Sequence, residues 1–326
     1  LTSYQSGFLY LLGSSPKGGL HVHQSVMPKP MGLHHDKDRG LSLACGAQII
    51  EFTNVLNEGQ VANEVFDGCF IPRRISITGS LDAHDIGRTA SGDILFVNTR
   101  FNCIAKPHDT HSFEEVWRPA FIDALVDEDR CHLNGMAIND KGELAFATAV
   151  SRSNTIDGWR DRRDGGGIVI DIARNEIIAT GLSMPHSPRW YRDRLWVLNS
   201  GSGELGQINL DPDMEADARF QPVAFCPGFL RGLGFHEDLA FVGLSKPRYK
   251  RFEGLPLDAK LKEADSEPWC GIQVIDTKTG SCVDWFRIDG NIMELYDVTV
   301  LPGVRCAMAA SPGTPEVAKM VTMPAS

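Results

Sequence analysis

Hydrophobic and polar positions along the chain alternate in short runs, and this pattern recurs in six units. Each unit opens with a short apolar strand, continues through a tight polar turn and returns in a second strand that ends in small or polar residues. The units begin near Pro30, Ala83, Leu133, His186, Leu230 and Leu295. The recurrence of one strand pattern along the chain indicates a repeat architecture. The unequal intervals between the starts of the units indicate loops of different length.

Most units continue beyond their first two strands. The runs AQIIEF, GGIVIDI and CGIQVID are typical of a third strand, and EIIATG and CVDWFRI are typical of a fourth. Helical periodicity is confined to a segment from Pro256 to Ser266. Four antiparallel strands per unit form one blade of a β-propeller.

The two ends of the chain are expected to share one blade. Residues near Leu295 to Ser311 would supply its inner strands, and Leu1 to Val26 have the pattern of its outer strands. Joining the termini in this way removes open sheet edges. The sequence therefore predicts an all-β, six-bladed β-propeller as a single domain over residues 1–326, with loop insertions near 151–167 and 246–269. Seven blades are the alternative if residues upstream of Leu1 add a strand, since the chain opens inside a strand-like segment without Met.

Composition narrows the classes of partner. The net charge of -10 and the pI near 5.5 argue against a broad phosphate-binding surface, so nucleic acid is not expected as a partner. No apolar run is long enough to cross a bilayer, so no membrane partner is expected either. The 8 cysteines are scattered singly, without the spacing of zinc or redox motifs, which predicts mostly free thiols and a cytoplasmic location.

Several long strings carry a resemblance to a known family. They include LTSYQSG, LFVNTRFNC, DRCHLNGMA, GLSMPHSPRW and CPGFLRGLGF. Together they resemble a family of bacterial propeller-like proteins that is known only as a domain of unknown function and that occurs alone or beside tetratricopeptide repeats. The resemblance covers nearly the whole chain and implies the propeller fold, but it implies no activity.

Propeller geometry predicts where chemistry would lie. The loop that enters each innermost strand opens on the same face as the loop between the second and third strands, so residues of both loop sets converge at the mouth of the central channel. His84, His132 and His186 begin three consecutive units. Neutral imidazole is a favoured ligand for zinc, copper, iron or nickel, and Asp85 or Asp297 would complete the ligand shell or act in catalysis. The alternatives are metal-free acid/base catalysis and hydrogen bonds that hold neighbouring blades together.

Positive and aromatic side chains are expected at the same mouth. Arg189 and Arg231 would bind a carboxylate, phosphate or sulfate of a ligand, with ion pairing to Asp82, Glu204, Glu294 or Asp297 as the alternative. The stretch 151–167 is too long and polar for a hairpin turn, which predicts a lid or edge wall of the channel that places Trp159 over the ligand; the alternative is a partner-binding surface. The predicted substrate-binding residues are Tyr4, Arg100, Asn134, Trp159, Arg160, Arg189, Asn199, Arg231 and Glu294.

These patterns predict an enzyme that acts on a small anionic or polar substrate at the channel mouth. Hydrolase, lyase, isomerase and metal-centred oxidation chemistry are all consistent with three imidazoles and a nearby carboxylate. The alternative is a non-catalytic propeller that binds a peptide or glycan across the same face. Neither the substrate nor the oligomeric state follows from the residues.

Overall fold

The computed structural model describes residues 1–247 and 252–323, which contain six β-sheets arranged as the blades of a propeller. The chain begins in blade 6 with β1 (Thr2–Ser3), β2 (Phe8–Ser14) and β3 (Leu20–Val26). Blade 1 follows with β4 (Pro30–Asp36), β5 (Gly40–Cys45), β6 (Gln48–Asn54) and β7 (Gly68–Ile77). Within each of these sheets, successive strands pair antiparallel. The predicted fold is confirmed.

Blades 2 to 5 are regular four-stranded sheets in chain order. Blade 2 contains β8 (Ala83–Arg88), β9 (Ile94–Asn98), β10 (Cys103–Lys106) and β11 (Glu114–Trp117). Blade 3 contains β12 (Leu133–Ile138), β13 (Leu144–Ala149), β14 (Gly167–Asp171) and β15 (Glu176–Leu182). Blade 4 contains β16 (Pro185–Tyr191), β17 (Arg194–Asn199), β18 (Glu204–Ile208) and β19 (Phe220–Phe225). Blade 5 contains β20 (Phe229–His236), β21 (Leu239–Ser245), β22 (Gly271–Asp276) and β23 (Cys282–Arg287).

The two ends of the chain meet in blade 6, as predicted. Thr2 forms an antiparallel bridge with Asp297, in which the Thr2 amide donates to the Asp297 carbonyl at 3.0 Å. The prediction that the residues before Ser311 form a second inner strand of this blade was wrong. These residues form β24 (Ala307–Ala309), which pairs in parallel with β7 at the outer edge of blade 1. Beyond Asp297 the chain still contacts blade 6, since the Ser14 amide donates to the Arg305 carbonyl at 2.8 Å, but its strand pairing is with β7.

Four blades begin with the same strained backbone turn. Lys29, Asp82, His132 and Met184 directly precede the innermost strands β4, β8, β12 and β16, and their φ angles are 52°, 49°, 52° and 48°. A residue other than glycine in the left-handed region costs on the order of 1 kcal/mol, so it persists only where the surrounding structure requires it. Repetition of the turn places side chains of different blades at equivalent positions around the channel mouth.

An ion network ties the blades together at the hub. The Arg189 guanidinium donates to the Asp85 carboxylate at 2.8 and 3.1 Å and lies 3.5 Å from the Asp297 carboxylate. Asp85 also accepts from the Met136 amide at 3.0 Å, and Asp297 accepts from the Leu33 amide at 2.8 Å. These contacts join blades 1, 2, 3, 4 and 6. We call the group of Arg189, Asp85 and Asp297 the hub network.

Blade 5 reaches the hub network through a glycine. Gly232 has a φ of +82°, and a Cβ atom at this position would lie 2.4 Å from the Val298 nitrogen and 2.7 Å from the Asp297 Cα. A larger residue would therefore push blade 5 away from the segment that carries Asp297.

Burial raises the pKa of Asp297 to about 7, against the lowering effect of Arg189.

Three predicted site residues, Asp85, Arg189 and Asp297, pair with one another in the hub network. Asp85 and Asp297 are buried, and Arg189 is shared between them, so the ion-pairing alternative describes Arg189. Their hydrogen-bonding capacity is used within the ring. Paired charges therefore lie where the blades meet at the hub.

The insertions and the remaining elements follow the sequence closely. Helix α1 (Leu257–Glu263) lies in the second insertion, where helical periodicity predicts it, and residues 248–251 of that insertion lie outside the described residues. A short helix, α2 (Pro315–Lys319), follows β24. All eight cysteines are free, and only Cys282 is exposed, which confirms the predicted thiols. Across residues 1–247 and 252–323, none of the helices combines the length and apolar character of a membrane span.

We predict that Arg189→Met destabilises the fold by about 3–5 kcal/mol, because it leaves two buried carboxylates without their shared cation. Chemical denaturation monitored by circular dichroism measures this loss. Arg192→Met is the matched control, since Arg192 pairs with the partly exposed Asp238 on the rim and solvent screens such a pair, so its loss is expected to change stability little. Equal effects of the two substitutions would contradict the role of the hub network.

Candidate functional site

Seven side chains from blades 2 to 6 form a circuit of contacts at the channel mouth, which we call the mouth cluster. They are His84, His132, Trp159, His186, Phe229, Arg231 and Tyr296. Four of them come from the loop and strand starts that propeller geometry predicts to converge, namely the three histidines and Arg231. Tyr296 belongs to the loop set that is expected to converge at the mouth, although it was not singled out as a substrate-binding residue. Phe229 was not predicted, although it lies in a segment that enters an innermost strand.

One half of the circuit joins the imidazoles of blades 2 and 3 to the end of the chain. The rings of His84 and His132 meet edge to face with centroids 4.9 Å apart. Tyr296 packs against His84 at 5.6 Å. The guanidinium carbon of Arg231 lies 4.8 Å from the Tyr296 ring centroid and 5.6 Å from that of Phe229. Cation–π contacts of this kind hold a positive charge against an aromatic wall.

The other half of the circuit is closed by the first insertion. Trp159 stacks on His132 with ring centroids 4.1 Å apart. It also belongs to an apolar cluster with Val150 and Met184, against which Phe229 packs. The His186 ring contacts Phe229 at 5.6 Å. Trp159 therefore covers His132, which is where a lid over the mouth is expected to lie.

The second insertion lies against the first on this face. Leu255, which precedes α1, packs on the same apolar cluster as Trp159. Phe225 and Phe229 pack on the buried residues Phe252, Leu257 and Leu261 of the second insertion. Both insertions thus contribute to the wall around the mouth cluster, as their position between second and third strands predicts.

His84 and His186 share one local structure in two blades. The Nδ1 atom of His84 lies 2.8 Å from the Asp82 carbonyl, and that of His186 lies 2.8 Å from the Met184 carbonyl. Because a carbonyl only accepts, Nδ1 carries the proton in both rings and Nε2 keeps its lone pair. In each blade the strained turn before the innermost strand presents that carbonyl.

His132 is held differently, by a carboxylate. Its Nδ1 lies 2.6 Å from Oδ2 of Asp129, a residue that was not among the predicted site residues. The signal in the sequence is the acidic stretch DEDR directly before CH, which places a carboxylate three residues ahead of the histidine. A carboxylate on Nδ1 fixes the tautomer and orients Nε2 for proton transfer.

The electrostatics of the cluster keep two imidazoles neutral. Burial lowers the pKa of His84 well below its usual range, and the charges of His132 and Arg231 lower it further. Burial and then Arg231 do the same to the pKa of His186. Burial also raises the pKa of Tyr296 well above 10, so its hydroxyl stays protonated. His84 still keeps part of its surface accessible, as a side chain that lines a channel does.

Four buried polar atoms of the cluster have no hydrogen-bond partner among the described residues: Nε1 of Trp159, Nε2 of His186, Nε of Arg231 and the hydroxyl of Tyr296. The exposed fraction of each residue is small: 7% for Trp159, 4% for His186, 8% for Arg231 and 5% for Tyr296. Leaving one such group unpaired costs about 1–3 kcal/mol. Several in one place indicate a site that a ligand would complete.

Two more of the predicted residues stand beside the cluster. The Tyr4 hydroxyl donates to Oε2 of Glu294 at 2.7 Å, and Oε1 of Glu294 lies 3.5 Å from Nη1 of Arg231. The Tyr4 ring also packs edge to face on Tyr296 at 5.4 Å. Tyr4 and Glu294 thus support Arg231 from the side of blade 6.

The other predicted residues are used elsewhere. Asn134 and Asn199 are buried and accept from the Thr148 hydroxyl at 2.9 Å and the Ser183 amide at 2.7 Å. Arg100 is partly exposed and donates through Nε to Asp127 at 2.6 Å, outside the circuit. Arg160 pairs with Asp157 at 2.8 Å and lies 4.5 Å above the outer face of Trp159.

A metal site requires several ligand side chains grouped around one point. In the part of the chain that the structure describes, no group of three or more His, Cys, Asp or Glu side chains is arranged to hold a metal ion. His84 and His132 are adjacent, whereas His186 lies across the circuit beside Phe229. Metal ligation by the three histidines stays a prediction.

Two cavities lie outside the mouth cluster. One of about 300 Å³ is bounded by β2, β22 and residues 298–307, and one of about 350 Å³ lies between β15 and residues 210–219. Neither is lined by a residue of the mouth cluster. In this conformation Trp159 packs directly on His132, so a ligand that reaches His132 has to displace the indole.

Comparison with solved structures supports the fold alone. The chain is similar to a structure from a nidogen/laminin complex, with a TM-score of 0.52, 12% identity and coverage of 91% of this chain and 97% of that one. It is similar to regucalcin, a calcium-binding protein of Agrobacterium tumefaciens, with a TM-score of 0.50, 11% identity and coverage of 81% and 75%. A putative gluconolactonase gives a TM-score of 0.50, 11% identity and coverage of 82% and 80%.

Sequence comparison gives a family without an activity. No curated protein matches the chain significantly. The sequence profile described as "Domain of unknown function (DUF4915)" matches residues 1–310, nearly the whole chain, in agreement with the resemblance seen in its motifs. The predicted occurrence of the family beside tetratricopeptide repeats stays a prediction. The chain belongs to the DUF4915 family.

Proposed function

We propose that the protein is an enzyme that acts on a small anionic or polar substrate at the channel mouth, with His132 as its general acid or base. The observation that carries this proposal is the 2.6 Å contact between Nδ1 of His132 and the Asp129 carboxylate. An imidazole oriented in this way accepts a proton on Nε2, and the carboxylate stabilises the imidazolium that forms.

The surroundings of His132 support a role in proton transfer. His84, its neighbour at 4.9 Å, is neutral, so it adds no fixed positive charge that would oppose protonation of His132. Trp159 shields the ring from bulk water at 4.1 Å. Exclusion of water strengthens the electrostatic interactions that act on a bound substrate.

Arg231 supports the preference for an anionic substrate. It is 8% exposed, and its contact with Glu294 is 3.5 Å, longer than a close ion pair. A guanidinium with unused donor capacity attracts a carboxylate or a similar anion. Arg231 would bind the anionic end, while His132 would act on a nearby carbon or oxygen atom.

Two alternatives stay beside this proposal. Proteins with a similar fold include both a putative gluconolactonase and a component of a nidogen/laminin complex, so the fold is compatible with catalysis and with non-catalytic binding of a peptide or glycan. The second candidate is metal-dependent catalysis, because all three histidines hold Nδ1 in a hydrogen bond and leave Nε2 as a potential ligand to zinc, copper, iron or nickel.

We predict that His132→Gln lowers turnover by about 10²–10⁴-fold, because it removes the group that transfers the proton. Turnover is followed by NMR over a panel of small carboxylate esters, lactones and hydroxy acids. His108→Gln, an exposed histidine outside the cluster, is the matched control. Asp129→Asn is expected to lower the rate and shift its pH profile, since the orienting charge is lost. Binding without turnover across the panel would favour the non-catalytic alternative.

Elemental analysis distinguishes acid/base from metal chemistry. We expect the protein purified without chelator to contain metal well below one equivalent and its turnover to withstand chelation. Stoichiometric metal that disappears in His84→Ala, His132→Ala and His186→Ala, with the fold retained, would replace the proposal by the metal-dependent one.

Burial holds the His186 imidazole neutral in the folded protein, which makes stability depend on pH. Its pKa in the folded protein lies well below the value near 6.5 expected when unfolded, so the unfolded chain binds the extra proton. Its contribution to stability is therefore complete above about pH 6.5 and declines below it by about 1.4 kcal/mol per pH unit. The free energy of unfolding of His186→Phe, relative to wild type, should rise by up to about 2 kcal/mol from pH 7 to pH 5. A pH-independent difference would show that His186 is not held neutral.

A further inference from the structure

The unpaired polar atoms of the mouth cluster define a class of ligand. We propose that the substrate is a polyhydroxylated carboxylate, with its carboxylate on Arg231 and a hydroxyl group on Nε2 of His186. This inference rests on the proposed function and specifies the substrate of the same site.

The mouth cluster presents both hydrogen-bond donors and a hydrogen-bond acceptor. Nε of Arg231, Nε1 of Trp159 and the Tyr296 hydroxyl are buried donors without a partner among the described residues. Nε2 of His186 is a buried acceptor without a partner there, since Nδ1 of that ring carries the proton. A ligand that satisfies the cluster must therefore accept hydrogen bonds in one part and donate one in another.

This combination excludes several simpler ligands. The dianionic phosphoryl group of a phosphomonoester, sulfate and plain carboxylates only accept hydrogen bonds, so these groups alone would leave Nε2 of His186 unpaired in a buried place. An amine would meet the Arg231 cation, and Lys or Arg side chains of a peptide would do the same. A hydroxylated carboxylate provides acceptors for the donors and a hydroxyl proton for His186.

The spacing of the two anchors suits a short carbon chain. His186 and Arg231 both contact the same Phe229 ring, each at 5.6 Å from its centroid. A ligand that joins the two anchors therefore passes along that ring and spans only a few carbon atoms. The aromatic walls of Phe229 and Tyr296 offer faces on which the C–H groups of such a chain can pack.

For a ligand to reach His132, the segment that carries Trp159 has to move. Left-handed residues flank this segment on both sides, with φ of 55° at Asp157 and 70° at Gly165, and a Cβ at Gly165 would meet open space. Hinge motion at these two points would lift the indole from His132 without disturbing β13 or β14.

Isothermal titration calorimetry on the full chain with three matched probes tests the substrate class. D-gluconate carries both the carboxylate and the hydroxyls, hexanoate carries only the carboxylate, and sorbitol carries only the hydroxyls. We expect gluconate to bind at least about tenfold more tightly than either of the other two, which corresponds to about 1.4 kcal/mol.

Variants assign the two anchors. Arg231→Met should abolish the preference for gluconate over sorbitol, and His186→Phe should abolish its preference over hexanoate. Arg192→Met and His108→Phe remove an arginine and a histidine outside the cluster and should leave both preferences unchanged. If circular dichroism shows that His186→Phe is unfolded, His186→Gln replaces it, because the amide oxygen retains an acceptor and should keep part of the preference for gluconate.

The outcomes separate this inference from the proposed function. Equal binding of gluconate and hexanoate would overturn the hydroxyl contact, equal binding of gluconate and sorbitol would overturn the carboxylate contact, and no binding of any probe would overturn both. Turnover of another substrate that depends on His132, without selective binding of gluconate, would refute only the substrate class. Selective binding of gluconate without turnover of any hydroxy acid or lactone would support the substrate class and refute the catalytic proposal.

Discussion

The structure depends most on one guanidinium shared by two buried carboxylates. Arg189 lies between Asp85 and Asp297, and backbone amides from blades 1 and 3 complete their hydrogen bonds. Charges buried at the centre of a ring are costly unless they are paired, so the three side chains are held in one arrangement. Gly232 brings blade 5 against the same point. The hub network thus sets the distance at which the blades approach each other.

That distance also sets the geometry of the mouth. The turns at Asp82, His132 and Met184 all precede innermost strands that pack around the hub, so the imidazoles of blades 2, 3 and 4 open on one face. Contacts of 4.9 Å between His84 and His132 and of 4.1 Å between His132 and Trp159 follow from this arrangement. The three histidines nevertheless differ, because only His132 contacts a carboxylate. Burial keeps the other two neutral.

Sequence patterns anticipated the fold better than the site. Six repeated strand pairs predict the blades because short apolar runs separated by polar turns are local features of the sequence, and entrance positions such as His84 and Arg231 can be read from where each run begins. Arg100 and Asn199 were expected at the same mouth, yet Asp127 and the Ser183 amide engage them. Partner choice among nearby polar groups depends on side-chain distances that the repeat does not specify. Asp129 was missed because it precedes the strand, outside the repeated unit.

The sequence by itself determined the repeated strand pairs, the meeting of the two termini and the face on which the insertions lie, because apolar runs, polar turns and loop lengths are local features of the chain. Tertiary structure alone decided that Arg189 belongs to the hub and Arg231 to the mouth, and that the segment containing Ala307 joins β7 rather than blade 6. These outcomes depend on which charges and edges are already occupied when the ring closes, and that competition is settled only among residues far apart in the chain.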